Sequence, residues 1–179
     1  CLLGDDMESM GLADIISAIR KAKDNEDIAG IYIEAGPVEF DSYATAQAIR
    51  RELADFRKSG KWVIAYGDQY TQGAYWVCSA ANEVNLNRTG MVDLKGIGRK
   101  AEYHKGLWDK LGVKYQAVRV GKYKSYVEQQ TRTDMSPEDR EQRMAYMQGI
   151  WNVMLKDIAA SRKITAEGLN RMVNDSILL

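Results

Sequence analysis

Lys124 is the residue whose type and neighbours most readily suggest chemistry in this sequence of 179 residues. It lies between Tyr123 and Ser125 and is followed by the aromatic-apolar pair Tyr126-Val127. A lysine acts as a general base only when burial pulls its pKa, about 10.4 in water, toward neutrality. Apolar neighbours make such burial possible, although most lysines in globular proteins are exposed to solvent. The local sequence therefore leaves both a catalytic base and an ordinary surface lysine open.

The segments on either side of Lys124 have the patterns of regular structure. The apolar segment Val113–Val120 predicts a strand, which in an open α/β fold would deliver the following loop to the carboxyl edge of the sheet, where such folds place chemistry. After the loop, Ser136-Pro137-Glu138-Asp139 combines an N-cap serine, a proline at the first helical position and first-turn acids. It predicts a helix that runs to Arg162, and a final short helix is predicted after its cap, Thr165. The residues of the long helix expected to face inward are Met147, Ile150, Met154, Leu155 and Ile158.

The first part of the chain alternates predicted helices and strands. A β-α-β order with short connections implies a parallel sheet. The predicted elements are a helix over Gly11–Asp24, a strand over Ile28–Ile33, a helix from Asp41 or Ser42 to about Lys58, and a strand over Lys61–Tyr66. The pattern then predicts a polar turn over Gly67–Gly73, a helix over Ala74–Ala81, a strand over Glu83–Leu86, a turn at Arg88–Gly90 and a helix over Arg99–Leu111.

Composition describes an ordinary globular protein, with 45% apolar and 28% charged residues. Lysine plus arginine equals aspartate plus glutamate, so no charge excess suggests a nucleic acid partner, and none is expected. The two cysteines, Cys1 and Cys78, give no disulfide framework, and no apolar run is long enough to cross a bilayer. Because the sequence starts at Cys1 and stops within an apolar segment, we expect it to be a piece of a longer protein.

Other chemistries have weaker support. His104 is the only histidine, and no G-x-S-x-G sequence accompanies it, so a Ser-His-Asp triad is not indicated. One histidine and no C-x-x-C motif give poor support for a metal site, and none is expected. The glycines of Gly96-Ile97-Gly98 lack a third partner in register, which makes a dinucleotide loop a weak hypothesis. Ser79 and Ser125 are the candidate serine nucleophiles, and neither has a glycine-rich setting.

Several strings, in order along nearly the whole chain, closely resemble the signal peptide peptidase A (protease IV) family. They are DIISAIRKAKDNEDIAGIYIE, FRKSGKWVIAYGDQYTQGAYWVCSAANEV and above all VRVGKYKSYVE followed by DMSPEDRE. The resemblance implies a ClpP/crotonase-like α/β fold, with a superhelical core and a parallel sheet flanked by helices. Residues 1–179 would form a single such domain, the first of two tandem copies in the double-length members of the family.

The resemblance also assigns candidate site residues to a Ser-Lys dyad. The general-base lysine of the family stands at the K of G-x-Y-K-S, which is Lys124 here. The family's serine nucleophile lies in a turn whose equivalent position here is Gln72, and Ala35-Gly36-Pro37-Val38 replaces the glycine pair that helps to form an oxyanion hole. Ser125 could orient the lysine and Tyr123 could exclude water, although core packing explains both residues equally well.

These assignments imply the lysine-contributing half of a serine endopeptidase that degrades cleaved signal peptides, with the serine in a downstream domain. The fragment alone is expected to be inactive, without a cofactor. Expected partners are the serine-bearing domain, further copies of the full chain and apolar extended peptides. The expected location is the bacterial inner membrane, with the catalytic domain facing the periplasm. Two alternatives stay open: a non-catalytic scaffold or peptide-binding module of the same fold, and an acyl-CoA enzyme of the related crotonase type.

Overall fold

In a computed structural model, residues 11–118 and 120–175 are described. They fall into two compact units, one formed by residues 11–95 and 154–175 and the other by residues 96–153. The helices and strands in chain order are α1 (Leu12–Asp24), β1 (Gly30–Ala35), α2 (Tyr43–Lys58), β2 (Trp62–Tyr70), α3 (Gln72–Cys78), β3 (Glu83–Val92), α4 (Lys105–Lys110), α5 (Glu128–Thr131), α6 (Pro137–Arg162) and α7 (Ala166–Asp175).

The first unit contains a three-stranded parallel sheet in the order β1-β2-β3. Strand β1 pairs with β2 from Gly30 opposite Trp62 to Ala35 opposite Gly67. Helix α2 connects β1 to β2 and helix α3 connects β2 to β3, as parallel neighbours require. The prediction of an α/β fold of the ClpP/crotonase type, with a parallel sheet flanked by helices, is confirmed.

The core of this unit consists of side chains from the sheet and the helices that pack on it. Phe56 of α2, Val63 of β2 and Met154 of α6 are each 0% exposed. Trp76 of α3 is also buried, and its indole Nε1–H donates a hydrogen bond of 3.0 Å to Asp157 Oδ2 on α6. Met154, Leu155 and Ile158 are buried as predicted, whereas Met147 and Ile150 are half-buried.

Arginine side chains satisfy backbone carbonyls at the end of α3. Arg57 Nη1 donates to Ala80 O at 2.6 Å, and Arg162 Nη2 donates to Ser79 O and Ala81 O. These carbonyls belong to residues that are at most 1% exposed. Because a buried carbonyl without a partner is costly, the two guanidinium groups stabilise the turn that leads from α3 to β3.

Three helix starts follow the predicted capping residues. Ser42 Oγ accepts from Thr45 N, Ser136 Oγ accepts from Asp139 N, and Thr165 Oγ1 accepts from Gly168 N. Each accepted bond satisfies one of the backbone N–H groups that a helix leaves free in its first turn. The prediction of the α6 start by Ser136-Pro137 and of its end at Arg162 is confirmed.

The predicted turns at Gly67–Gly73 and Arg88–Gly90 are wrong. Strand β2 continues to Tyr70, and β3 continues to Val92. The pairing shifts register between Gly67 and Gln69, and the partner positions on β3 move from Leu86 to Met91. A bulge therefore absorbs the turn-forming residues and lets both strands continue.

Two further predictions in the second unit are wrong. Residues 113–118 and 120 form no strand, and Val118 and Val120 are 99% and 85% exposed. A β-branched pattern favours a strand, but a strand also needs a neighbouring strand to pair with. Among the described residues, no strand pairs with this segment. The predicted helix over Arg99–Leu111 is confined to Lys105–Lys110. Its start is displaced because the backbone N–H of His104 donates to Gln129 O at 2.7 Å instead of entering a helix.

Candidate functional site

The lysine loop, residues 121–127, lies in the second unit and directly precedes α5. Gly121 has φ +86°, a conformation that glycine adopts without the steric cost of a side chain. The backbone N–H of Lys124 donates to Gly121 O at 3.4 Å and closes the turn. Lys124 itself is exposed, whereas the next residue, Ser125, is 8% exposed. The loop thus has an exposed lysine in its turn, directly followed by a buried serine.

Ser125 connects the loop to the first turn of α6. Its Oγ donates a hydrogen bond of 2.6 Å to Asp139 Oδ1. The other carboxylate oxygen of Asp139 accepts a bond of 2.7 Å from Arg143 Nε. The serine hydroxyl therefore has a carboxylate partner on α6, and the hypothesis that Ser125 orients the lysine directly gains no support from this contact.

Burial would by itself raise the pKa of the Asp139 carboxyl, which belongs to a residue that is 3% exposed. The hydrogen bonds from Ser125 and Arg143, together with the positive charge of Arg143, overcome that effect and hold the pKa of Asp139 below its usual value. Asp139 is accordingly an ionised, buried acceptor, and charge-assisted hydrogen bonds of this kind are stronger than neutral ones.

A second buried carboxylate, Glu128, closes the loop from its other end. Glu128 is 2% exposed and accepts hydrogen bonds from Ser136 Oγ at 2.8 Å and from Ser136 N at 3.2 Å. The backbone N–H of Glu128 donates to Ser125 O at 2.9 Å. Ser136 is therefore both the cap of α6 and the partner of the first residue of α5.

Tyr123 is the third predicted site residue in this loop. It is 43% exposed, and its hydroxyl donates to Glu141 Oε2 at 3.2 Å. The ammonium of Lys122 lies 5.5 Å from the centre of the Tyr123 ring, within the range of a cation–π contact. Tyr123 and Lys122 thus interact on an exposed side of the loop, and Tyr126, 91% exposed, adds an apolar side chain to the same loop.

Gln72, the remaining predicted site residue, lies in the first unit at the start of α3. The cap of that helix, Thr71, accepts from Ala74 N and donates to Val38 O at 2.6 Å. Gln72 Oε1 accepts from Lys95 N at 3.1 Å. The structure therefore ties the α3 turn to the loop that follows β1, the two places where the resemblance puts a nucleophile and an oxyanion hole. A glutamine amide occupies the first of these places, and it cannot act as the nucleophile of a serine peptidase.

The two other serine candidates are held in the structure by their own hydrogen bonds. Ser79 is 0% exposed, and its Oγ donates to Trp76 O at 2.7 Å. Ser125 is engaged with Asp139. Both residues are buried, so the described structure exposes neither hydroxyl at the surface.

The sequence patterns did not identify the contacts that hold the lysine loop. Asp139 was predicted only as a first-turn acid of α6, and its partner Ser125 lies 14 residues earlier in the chain. Glu128 had no predicted role. The available signal was the cluster of acidic residues at the start of α6, a short distance in sequence after a loop that contains a serine, but this pattern does not specify which groups form hydrogen bonds.

The described residues contain no group of three or more histidine, cysteine, aspartate or glutamate side chains arranged to hold a metal ion. Within the same ranges, no helix has both the length and the apolar character needed to cross a membrane.

Comparison with known proteins places the chain in a family. Residues 55–179 match the model of peptidase family S49. The chain is similar to Protease 4 of Salmonella typhi, at 39% identity over 92% of this chain and 27% of the relative, and to Protease 4 of Haemophilus influenzae, at 35% identity over 84% and 25%. It is also similar to the chloroplastic serine protease SPPA of Arabidopsis thaliana, at 27% identity over 88% and 23%. It thus spans about a quarter of the length of these relatives, and the match over residues 55–179 shows that the chain belongs to peptidase family S49.

Proposed function

We propose that this chain supplies the general-base lysine, Lys124, of a Ser-Lys dyad serine endopeptidase, and that the serine nucleophile lies in protein outside these 179 residues. The observation that carries the proposal is an exposed Lys124 on a loop whose backbone is held at both ends, in a chain with a glutamine at the expected nucleophile turn. The relatives named as proteases support the reaction class.

The exposure of Lys124 agrees with a divided active site. A lysine becomes an effective general base when a surrounding surface removes it from water. In this chain the Lys124 side chain is exposed, so the surface that covers it would have to come from the serine-bearing domain. A fixed backbone would keep the lysine in place until that domain docks.

The reaction follows from the roles of the two side chains. The neutral amine of Lys124 accepts the proton of the serine hydroxyl while the serine oxygen bonds to the peptide carbonyl carbon. Backbone N–H groups of the serine-bearing domain stabilise the resulting oxyanion. The lysine ammonium then gives its proton to the leaving amine as the peptide bond breaks. Water then attacks the acyl carbon while Lys124 takes its proton, and Lys124 returns that proton to the serine oxygen as the acyl–serine bond breaks.

The proposed substrates are cleaved signal peptides or similar apolar extended segments. Two exposed apolar side chains close to Lys124 in sequence, Tyr126 at 91% and Val120 at 85%, are compatible with an apolar partner or substrate. We further propose a homo-oligomer of the full chain at the bacterial inner membrane, with the catalytic domains facing the periplasm. Light scattering of the purified full-length protein would test the oligomer, and protease accessibility in spheroplasts would test the location.

The deciding experiment compares Lys124→Ala with Lys122→Ala in the full-length protein. Both lysines are exposed and lie in the same loop, so each variant removes one positive charge from that loop. A difference in turnover between the variants therefore reports the position of the lysine and not the loss of charge. Loss of a general base lowers turnover by about 10²–10⁴-fold, and we expect this loss for Lys124→Ala alone. Circular dichroism verifies that both variants fold. Near-normal turnover of Lys124→Ala would reject the proposal and favour a scaffold or peptide-binding module.

A further inference from the structure

We propose that Asp139 is a positioning residue for the lysine loop, acting on Lys124 through the adjacent Ser125. The inference rests on the proposed function, because it concerns the placement of the proposed general base. Asp139 does not touch the reacting atoms in this account. Its role is to fix the peptide segment from which Lys124 projects.

Both oxygens of the buried Asp139 carboxylate accept hydrogen bonds from side chains. Oδ1 accepts from Ser125 Oγ at 2.6 Å and Oδ2 accepts from Arg143 Nε at 2.7 Å. Because Ser125 has one hydroxyl proton and gives it to Asp139, the serine is held in a single orientation. The residue directly before it in the chain is Lys124.

A second series of hydrogen bonds connects Asp139 to the lysine loop. Asp139 N donates to Ser136 Oγ, and Ser136 Oγ donates to Glu128 Oε1. Glu128 N in turn donates to Ser125 O. Ser125 is therefore attached to the start of α6 through its side chain and, by way of Glu128, through its backbone.

Helix stability alone does not require this arrangement. Ser136 already caps α6, and a first-turn acid favours the helix dipole even when it lies at the surface. Glu138 supplies such an acid at the preceding position. Asp139 is instead 3% exposed, and burial of a carboxylate is costly unless its partners are fixed. Compared with an acid at the surface of the same helix turn, the buried Asp139 gains the hydrogen bond from Ser125.

A general base must lie within hydrogen-bond reach of the proton that it removes. A misplacement of about 1 Å can cost about 10²-fold in rate. Loss of the Ser125–Asp139 bond would release one end of the Lys124 turn while the lysine itself stays present. Turnover should therefore fall, while substrate binding, which involves other groups, should change little.

The test uses the full-length protein, with kcat and KM measured on a signal-peptide-like substrate well below the unfolding temperature. The variants are Ser125→Ala, Asp139→Ala and the double variant; alanine is used at position 139 because asparagine would keep an oxygen that accepts from Ser125 Oγ. We expect each single change to lower kcat by about 10–100-fold with KM within about twofold. Because both changes remove one contact, the double variant should be about as slow as the slower single variant. Thr165→Ala, which removes the cap of α7, controls for general destabilisation and should retain wild-type kcat.

The outcomes separate this proposal from the proposed function. Loss of activity in Lys124→Ala with wild-type kcat in Ser125→Ala would overturn the positioning role and leave the dyad intact. Multiplying losses in the double variant would also overturn it, because they would show independent effects. Normal activity of Lys124→Ala would reject both proposals. If Asp139→Ala fails to fold, Ser125→Ala decides alone, since it retains the Asp139–Arg143 ion pair.

Discussion

Replacing Ser136 with alanine should destabilise the start of α6 by more than the loss of a helix cap. Ser136 is 6% exposed, and its Oγ both accepts from Asp139 N at 3.1 Å and donates to Glu128 Oε1 at 2.8 Å. The lost cap costs about 1 kcal/mol. The lost bond to a buried carboxylate costs about 1.5–3 kcal/mol. Because such terms are not strictly additive, the expected loss is about 2–4 kcal/mol.

Ser42 offers a matched control for this change. It caps α2 in the same way, with Thr45 N donating to its Oγ at 3.2 Å, but it is exposed and holds no carboxylate. Ser42→Ala should therefore cost about 1 kcal/mol. The difference between the two variants isolates the contribution of the Ser136–Glu128 bond.

Native-state hydrogen exchange followed by mass spectrometry is the suitable assay, because it reports the opening free energy of each segment separately. Peptides that contain the first turn of α6 should lose about 2–4 kcal/mol of protection in Ser136→Ala. The first turn of α2 should lose about 1 kcal/mol in Ser42→Ala. Equal losses in the two variants would refute the reasoning, since they would show that the buried contact with Glu128 contributes nothing beyond the cap.

Three further predictions concern charge, backbone partners and thiol chemistry. The folded-state pKa of Asp139 lies below its unfolded value, so its contribution to stability is present above about pH 4 and is lost as the pH falls through the folded-state pKa. In thermal unfolding from pH 7 to pH 3, the melting temperature of the wild type should therefore exceed that of Asp139→Asn at neutral pH, and the difference should shrink in acid. A difference in melting temperature that stays constant with pH would contradict a stabilising role of the ionised Asp139 carboxylate. Arg162→Ala leaves buried carbonyls at the end of α3 without their donor and should cost about 2–4 kcal/mol in denaturant unfolding. Arg171→Ala removes an exposed ion pair and should cost under about 0.5 kcal/mol, and similar losses in the two arginine variants would contradict the role of Arg162. Burial raises the pKa of the Cys78 thiol to about 11, so a thiol reagent at pH 8 should modify Cys78 only after unfolding, and rapid modification of the folded protein, mapped by mass spectrometry, would contradict its burial.

The features predicted from sequence are those that depend on nearby residues. Ser136 and Thr165 cap their helices as predicted, and Ser42, one of the two candidates for α2, caps that helix, because capping joins a side chain to a backbone N–H three residues later. The β-α-β order predicted the parallel sheet, because a helix between two strands permits only a few topologies.

The features that were missed depend on distant residues. The bulge opposite Gly67 allows β2 and β3 to run past glycines that predict turns. The apolar pattern of Val113–Val120 indicated a strand, but a pattern cannot supply the partner strand that the described residues lack. Likewise, the hydrogen bond between Ser125 and Asp139 joins residues 14 positions apart, and neither sequence position indicates the other.

The proposed division of the active site has one direct test. The full-length protein is treated with a covalent serine-directed phosphonate probe, and the modified residue is mapped by mass spectrometry in wild type and in Lys124→Ala. We predict one labelled serine outside these 179 residues and a loss of labelling in Lys124→Ala, because the lysine activates that serine. Labelling of Ser79 or Ser125, no labelling of the wild type, or equal labelling of the Lys124→Ala variant would contradict it.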